Sequence, residues 1–290
     1  MRTFRYRLVN VFVESNTATF GGNPLCVFEN AHGMAEVEMQ ALAAQFNLSE
    51  TTFILPPPSG SGQPPQVRIF TPAFEMPFAG HPTLGTASVA HALALPGCAG
   101  ESLTLSMKAG DIPVERDNSA WTLTANAHTS RATGISKADL AQMLDIAESD
   151  LAGEAMYVDT GSEQIVIPVA SLDVLARVKP VEALLKQHVK TKLGRYLAYV
   201  VVRIALDKFQ VRFFFPEDGG LTEDPGTGSA CANLGGYLLD AGETTPSQFT
   251  VTQGEFINRL NVLQLSLTAE KRIRVGGRVL ELGGGEIRLP

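Results

Sequence analysis

Only three cysteines occur in the 290 residues, Cys26, Cys98 and Cys231, an odd and scattered set. They fit no metal spacing and no disulfide framework, so a reducing cytoplasm is the expected compartment. No apolar run approaches the ~18 residues of a membrane span. The basic start, Met1-Arg-Thr-Phe-Arg-Tyr-Arg7, runs into an alternating pattern rather than the apolar core of a secretory signal. A membrane is therefore not expected as a partner. Positive charge is also short: 23 Lys and Arg stand against 30 Asp and Glu, a net charge of −7. Without a cationic face, nucleic acid is not an expected partner either. The five histidines (32, 81, 91, 128, 188) form no His-x-x-x-His or Glu-x-x-His pattern, so no metal is expected. No Gly-x-Gly-x-x-Gly opens a strand–helix unit, and no Gly-Lys-Ser/Thr follows the Gly-rich Asp224–Gly228. Nicotinamide, flavin and P-loop nucleotide binding thus find no support, and the expected cofactor is none. Ser229 lacks the flanking glycines of a hydrolase elbow, with Thr227 and Cys231 in their places.

What is present suits a globular protein with real cores, 44% hydrophobic and 18% charged, long enough for two domains. Arg5–Val13 alternates as a first strand, and Phe20-Gly-Gly-Asn-Pro24 reads as a tight turn. Met34–Asn47 has the spacing of an amphipathic helix, while Thr51–Leu55 and Gln66–Phe70 read as strands around a Pro/Gly/Ser loop, Pro56–Pro65. A helix is expected from His81 to Leu95, then three short strands over Ser102–Ala125. From Asn126 to about Asp150 the chain is polar and helical, and the passage between domains is placed there. Beyond it come strands near 155–159 and 164–169, a helical region near 172–190, strands near 196–204 and 208–215, and a helix over 226–240. The C-terminus reads as short strands (249–252, 262–268, 272–275, 278–282, 286–289) broken by Gly276-Gly277 and Gly283–Gly285. This is strand-rich α+β, without the alternation of a doubly wound sheet.

An internal repeat organises the pattern. Arg68-Ile-Phe70-Thr-Pro72 returns as Arg212-Phe-Phe214-Phe-Pro216, 144 positions later. Pro82-Thr-Leu-Gly85-Thr86-Ala87 returns as Pro225-Gly-Thr-Gly228-Ser229-Ala230, 143 positions later. Two copies of one fold are implied. Both following helices, Thr86–Leu95 and Ser229–Leu239, are apolar nearly all round, so each should be buried inside its own half's curved sheet.

Each repeated Pro is preceded by a polar residue, His81 in one half and Asp224 in the other. Free N–H groups and the positive end of the dipole converge at a helix start. Two facing helix starts would bind a carboxylate or enolate, and flanking side chains could move a proton near it. Each residue has a plainer reading: Asp224 as an N-cap, His81 as a satisfied structural histidine. Glu50, in Asn47-Leu-Ser-Glu50-Thr-Thr-Phe53, is a third candidate at a helix-to-strand junction, and its plainer reading is an exposed loop carboxylate.

Together, Phe20-Gly-Gly-Asn-Pro24, the Glu50 segment, Arg68–Pro72, Phe78-Ala-Gly-His-Pro-Thr-Leu-Gly85 and Glu223-Asp-Pro-Gly-Thr-Gly-Ser-Ala230 resemble the phenazine-biosynthesis PhzF-like family, within the diaminopimelate-epimerase-like superfamily. The resemblance runs from about residue 5 to the C-terminus. It implies two similar α+β domains, each a curved or barrel-like sheet around a central helix, with the site between them, no cofactor, and commonly a homodimer. The expected boundaries are 1–126, joined by about 278–290, and 127–277. By the same resemblance Glu50 is the acid/base, His81 and Asp224 assist, and Gly80, Gly228 and Ser229 contact a carboxylate or carbonyl of a small substrate. The function implied is a cofactor-independent isomerase or epimerase.

Racemases of the superfamily use a cysteine in each half, where this chain reads Ala79 and Pro225. The chain also departs from the family at Gly226, usually Ala, and at Asn258-Arg-Leu-Asn261, usually Gly-Arg-Pro-Ser. Two other readings stay open at this point: a non-catalytic metabolite-binding protein on the same fold, and a two-thiol racemase.

Overall fold

The computed structural model describes every residue except Ser59, Asp218 and Gly219; Ser59 falls in the loop expected over Pro56–Pro65. The chain forms two compact units, one of residues 1–123 with 276–290, the other of residues 124–275. Both are α+β.

In the first unit, β1 (Arg2–Val13) pairs antiparallel with β2 (Asn23–Phe28). The outer helix α1 (Glu36–Phe46) connects β2 to a parallel β3 (Thr51–Leu55). β3 returns antiparallel as β4 (Gln66–Phe70), which pairs with the two-residue β5 (Glu75–Met76). The inner helix α2 (Gly80–Ala92) then crosses to β6 (Ser102–Met107), parallel to β4. β7 (Gly110–Asp117) and β8 (Ala120–Thr124) follow as a meander. The sheet curves around α2 and closes through the last strand, described below. Nine residues of α2, His81 to Ala87 with Val89 and Ala90, are buried. Its small residues let it approach the sheet: a Cβ on Gly85 would stand 2.6 Å from Leu25 Cδ2. On the other face α1 buries Met39, Leu42 and Ala43 against Phe28, Phe53 and Phe70. Phe28 and Phe53 stack at 4.8 Å, and Phe70 meets Phe53 edge-on.

The second unit repeats this plan. It begins with β9 (Thr129–Ala132), α3 (Lys137–Leu144), β10 (Met156–Asp159) and β11 (Gln164–Pro168). Outer helices α4 (Leu172–Arg177) and α5 (Glu182–His188) lead to β12 (Ala198–Ala205), parallel to β11. β13 (Lys208–Glu217) is antiparallel to β12 and pairs with β14 (Gly220–Asp224). The inner helix α6 (Gly228–Asp240) crosses to β15 (Ser247–Gln253), parallel to β13, and β16 (Asn261–Leu267) follows. Leu140, Met143, Leu144, Val174, Leu175 and Leu185 of the outer helices cover one face of this sheet. Ala230 to Gly236 of α6 are buried at the other. Strands covered on both faces carry continuous apolar runs, such as Ala198–Val202, rather than alternation.

Four elements differ from the sequence expectation. The region 126–150 holds an exposed edge strand, β9, which pairs with β10; its anchor is Arg131, with its guanidinium 3.8 Å over the Tyr157 ring. The helical region expected near 172–190 is divided into two helices, because Pro180 cannot continue one and disfavours helical backbone at Lys179. β14 was not expected. The three C-terminal strands are a single one, β17 (Ile273–Leu289), which pairs with β8 and then runs along β1, from Val13↔Arg278 to Arg2↔Leu289. Its glycines admit neighbours instead of breaking it: a Cβ on Gly276 would meet Trp121 O at 2.5 Å.

The repeated Arg-x-Phe has a physical reason. Arg68 reaches across the hairpin to grip Glu75 with two hydrogen bonds of 2.7 and 2.6 Å, its guanidinium 5.1 Å from the Phe70 ring. Arg212 grips Glu223 at 3.1 and 2.7 Å and lies 4.8 Å from Phe214. The same fork, carboxylate and ring recur in each unit.

Candidate active site

In the first unit, α1 ends at Asn47, whose left-handed backbone (φ 51°) turns the chain toward β3. Glu50 is the last residue before that strand. A buried hydrogen bond of 2.8 Å between the Thr52 and Thr86 hydroxyls ties β3 to α2. This places Glu50 Oε2 3.6 Å from Nε2 of His81, the second residue of α2; the two side chains are 15% and 7% exposed. Gly80, the first residue, has a backbone N–H without a helical partner, as has His81; Pro82, third, has none to offer.

The protonation of His81 is fixed by its partners. Burial pushes its pKa down to about 3, opposed by a hydrogen bond to the Pro24 carbonyl, so the ring is neutral at ordinary pH. A carbonyl only accepts, so the nitrogen facing it carries the hydrogen. Nε2 is buried with no hydrogen-bond partner among the described residues. It is therefore Nδ1 that donates to Pro24, and Nε2 turns a lone pair toward Glu50. The Phe20–Pro24 motif serves this contact: Asn23 and Pro24, expected in a turn, open β2, where Pro24 lies opposite Asn10.

In the second unit, Asp224 ends β14 and Gly228 and Ser229 open α6. The Thr227 hydroxyl and the Gly226 N–H both donate to the Asp224 carboxylate. Gln253 holds this turn, donating to Asp224 O at 2.8 Å and Thr227 Oγ1 at 2.9 Å, and accepting from Thr227 N at 3.2 Å. Ser229 Oγ accepts from Gln164 Nε2 at 2.9 Å. Burial, with the nearby Cys231 and Asp224, pushes up the pKa of Tyr199, fully buried on β12, and its hydroxyl has no hydrogen-bond partner among the described residues. Gln253, Gln164 and Tyr199 lie far from these motifs in sequence, and no spacing signals them.

The structure revises how the halves match. β4 and β13 correspond at an offset of 144, but Glu75 and Glu223 lie 148 apart, as do the helix starts Gly80 and Gly228. A longer β13–β14 hairpin absorbs the difference. His81 thus corresponds to Ser229, and Asp224 to Met76, which faces Ile69 as Asp224 faces Phe213. The position matching Ala79 is Thr227 rather than Pro225, each being the residue before its helix. Neither is a cysteine. All three thiols are buried, and burial pushes each of them up, away from the reactive thiolate.

The two departures, Gly226 and Asn261, prove to be one. A Cβ on Gly226 would stand 2.6 Å from Asn261 Cγ and 3.1 Å from its Cβ. Gly226→Ala should therefore destabilise the protein by ~1–3 kcal/mol, and adding Asn261→Ser should restore most of that in urea denaturation. Equal losses in the single and double variants would disprove the fit.

Burial, partly offset by the Thr227 and Gly226 hydrogen bonds, raises Asp224 from 3.8 to about 6. The native state then holds this proton more tightly than the unfolded chain. Stability from this group is full below pH 4 and is lost as pH rises through about 6. Between pH 4 and 7, Asp224→Asn should gain on the order of 2 kcal/mol relative to the parent. A difference that does not change with pH would contradict the enclosed carboxylate.

Among the described residues, no group of three or more His, Cys, Asp or Glu is placed to hold a metal, and no helix is long and apolar enough to cross a membrane.

The sequence pattern of the phenazine biosynthesis-like protein family matches residues 9–282. An uncharacterized isomerase of Pasteurella multocida is 40% identical over 289 residues, 99% of this chain and 95% of that protein. The trans-2,3-dihydro-3-hydroxyanthranilate isomerase of Pseudomonas fluorescens is 31% identical, covering 92% of this chain and 94% of its own. The crystal structure of a PhzF-family phenazine biosynthesis protein from Bacillus anthracis superposes over the whole of both chains with a TM-score of 0.86, at 25% identity.

Proposed function

We propose, for a chain that belongs to the phenazine biosynthesis-like protein family and is an isomerase of a small molecule, that Glu50 moves a proton between two carbons of a carboxylate-bearing substrate. One observation carries this reading: a half-buried carboxyl 3.6 Å from an imidazole that is neutral and turns a lone pair toward it. Glu50 as carboxylate takes a proton from a substrate carbon whose developing negative charge the carboxylate or carbonyl group can share. The resulting carboxylic acid is the form that Nε2 of His81 can accept from. Returned at another carbon, the proton completes an isomerisation with no net change in protons or electrons.

Asp224, with its pKa near neutrality, assists as hydrogen-bond donor or acceptor. Gly80, Gly228 and Ser229 hold the substrate's carboxylate or carbonyl, using the N–H groups of the helix starts, where negative charge is stabilised. The chemistry asks nothing of a cofactor. The raised thiols and the absence of cysteine at Ala79 and Thr227 support a carboxylate acid/base over a thiol pair.

A ligand screen in D₂O followed by NMR tests the reading, beginning with trans-2,3-dihydro-3-hydroxyanthranilate, the compound in the name of the Pseudomonas fluorescens relative. Deuterium should enter a carbon position of a carboxylate-bearing compound. Tight binding without deuterium entry in any ligand would instead indicate a non-catalytic binding protein.

A further inference from the structure

The polarity of the Ser229 hydroxyl is set by a chain of three side chains that begins at the backbone. Thr160 N–H donates to Asn233 Oδ1 at 2.9 Å, and the Thr160 hydroxyl reaches the same oxygen at 2.7 Å. On its other side, Asn233 Nδ2 donates to the Ser162 carbonyl at 2.8 Å. A backbone N–H can only donate and a carbonyl only accept, so the Asn233 amide has one possible orientation. Its Nδ2 also meets Gln164 Oε1, which leaves Gln164 Nε2 facing Ser229 Oγ at 2.9 Å. Asn233 is fully buried and Gln164 is 1% exposed, so neither can exchange these partners for water. Ser229 Oγ has Gln164 as its hydrogen-bond partner among the described residues.

We infer that Gln164 and Asn233 are positioning residues that leave the Ser229 hydroxyl its hydrogen to donate outward, so that it recognises an acceptor oxygen of the substrate, carboxylate or carbonyl. This rests on the proposed role of Ser229 in substrate binding. Gln164 occupies a lone pair of Ser229 Oγ with a donor, so the hydroxyl hydrogen is not needed internally. The sense is the same as that of the neighbouring helix N–H groups, which also only donate. A hydroxyl that had to donate inward could only accept from the substrate; this one keeps its hydrogen for an outside acceptor.

Gln164→Glu reverses the chain without changing its size: a carboxylate accepts from Asn233 and from Ser229, turning the hydroxyl hydrogen inward. With trans-2,3-dihydro-3-hydroxyanthranilate as substrate, KM should rise about tenfold or more, close to the effect of Ser229→Ala, with kcat little changed. Gln164→Met, which only releases the hydroxyl, should raise KM less. In a Ser229→Ala background Gln164→Glu should add little further effect. Effects that multiply would show that Gln164 acts independently of Ser229 and would overturn the inference. If Ser229→Ala itself leaves KM unchanged, it is the substrate-binding role of Ser229 that fails.

A second measurement needs no substrate. Ser229→Ala should shift the Gln164 side-chain amide resonances and hasten their solvent exchange while leaving those of Asn233 nearly in place. Gln164 resonances unmoved by that change would refute the chain whatever the kinetics.

Discussion

Glu50→Gln lowers turnover by roughly 10²- to 10⁴-fold and leaves the fold intact. The amide keeps the size of the acid, so β3 and the Asn47 cap are not disturbed. It can still donate to Nε2 of His81, 3.6 Å away, whose lone pair is fixed by the Nδ1–H bond to Pro24. What the amide cannot do is take up or release a proton. The loss should therefore appear in kcat and in deuterium entry from solvent, in parallel, while thermal stability changes by less than about 1 kcal/mol. Full turnover by a folded Gln variant on the parent's substrate would remove Glu50 from the mechanism. Deuterium entry that persisted while turnover fell would move the proton transfer to another group.

Arg212→Met should cost about 3–5 kcal/mol of stability, the largest loss expected from any single polar change here. The Arg212 and Glu223 side chains are 11% and 8% exposed, so removing the guanidinium strands a buried carboxylate. The same guanidinium ends α4 by donating to Leu175 O at 3.0 Å and Val178 O at 2.8 Å, and each of those carbonyls would also lose a donor. Its counterpart in the first unit gives an internal control. Arg68 is more exposed, at 18%, and Glu75 keeps a second cation in Lys108. Arg68→Met should thus cost clearly less, ~1–2 kcal/mol in urea denaturation at neutral pH. Equal losses would mean that the matched Arg-x-Phe motifs are similarly loaded, contrary to their surroundings.

Much of this was legible in the sequence, and the exceptions have a common cause. Thr51–Leu55 and Gln66–Phe70 were readable residue for residue, because β-branched and aromatic runs between turn formers leave little choice. The buried helices announced themselves by lacking a polar face. β9 carries no such signal: as an exposed edge strand it has no inward face to impose a pattern. The glycines of β17 pointed the wrong way, since a gap in side chains marks a turn or a close neighbour equally well. At the site, the structure brings Glu50 within 3.6 Å of His81, a contact that no spacing between the two segments records. The pairing of His81 with Asp224 rested on two prolines that occupy different places, Pro82 inside its helix and Pro225 three residues before its own. Gln253, Gln164 and Asn233 could not be foreseen. Their part depends on which strand or helix lies beside the start of α6, and a single sequence does not record adjacency.

The course of β17 has a consequence for the order in which the protein is made. Residues 124–275 form a contiguous unit and can fold as soon as they leave the ribosome. The first unit is translated earlier but finishes later, because β1 is flanked on one side by β2 and on the other by residues 278–289. Through the synthesis of some 150 intervening residues, one edge of β1 keeps its N–H and C=O groups unpaired and open to other nascent chains. The half that carries Glu50 and His81 is thus begun first and closed last.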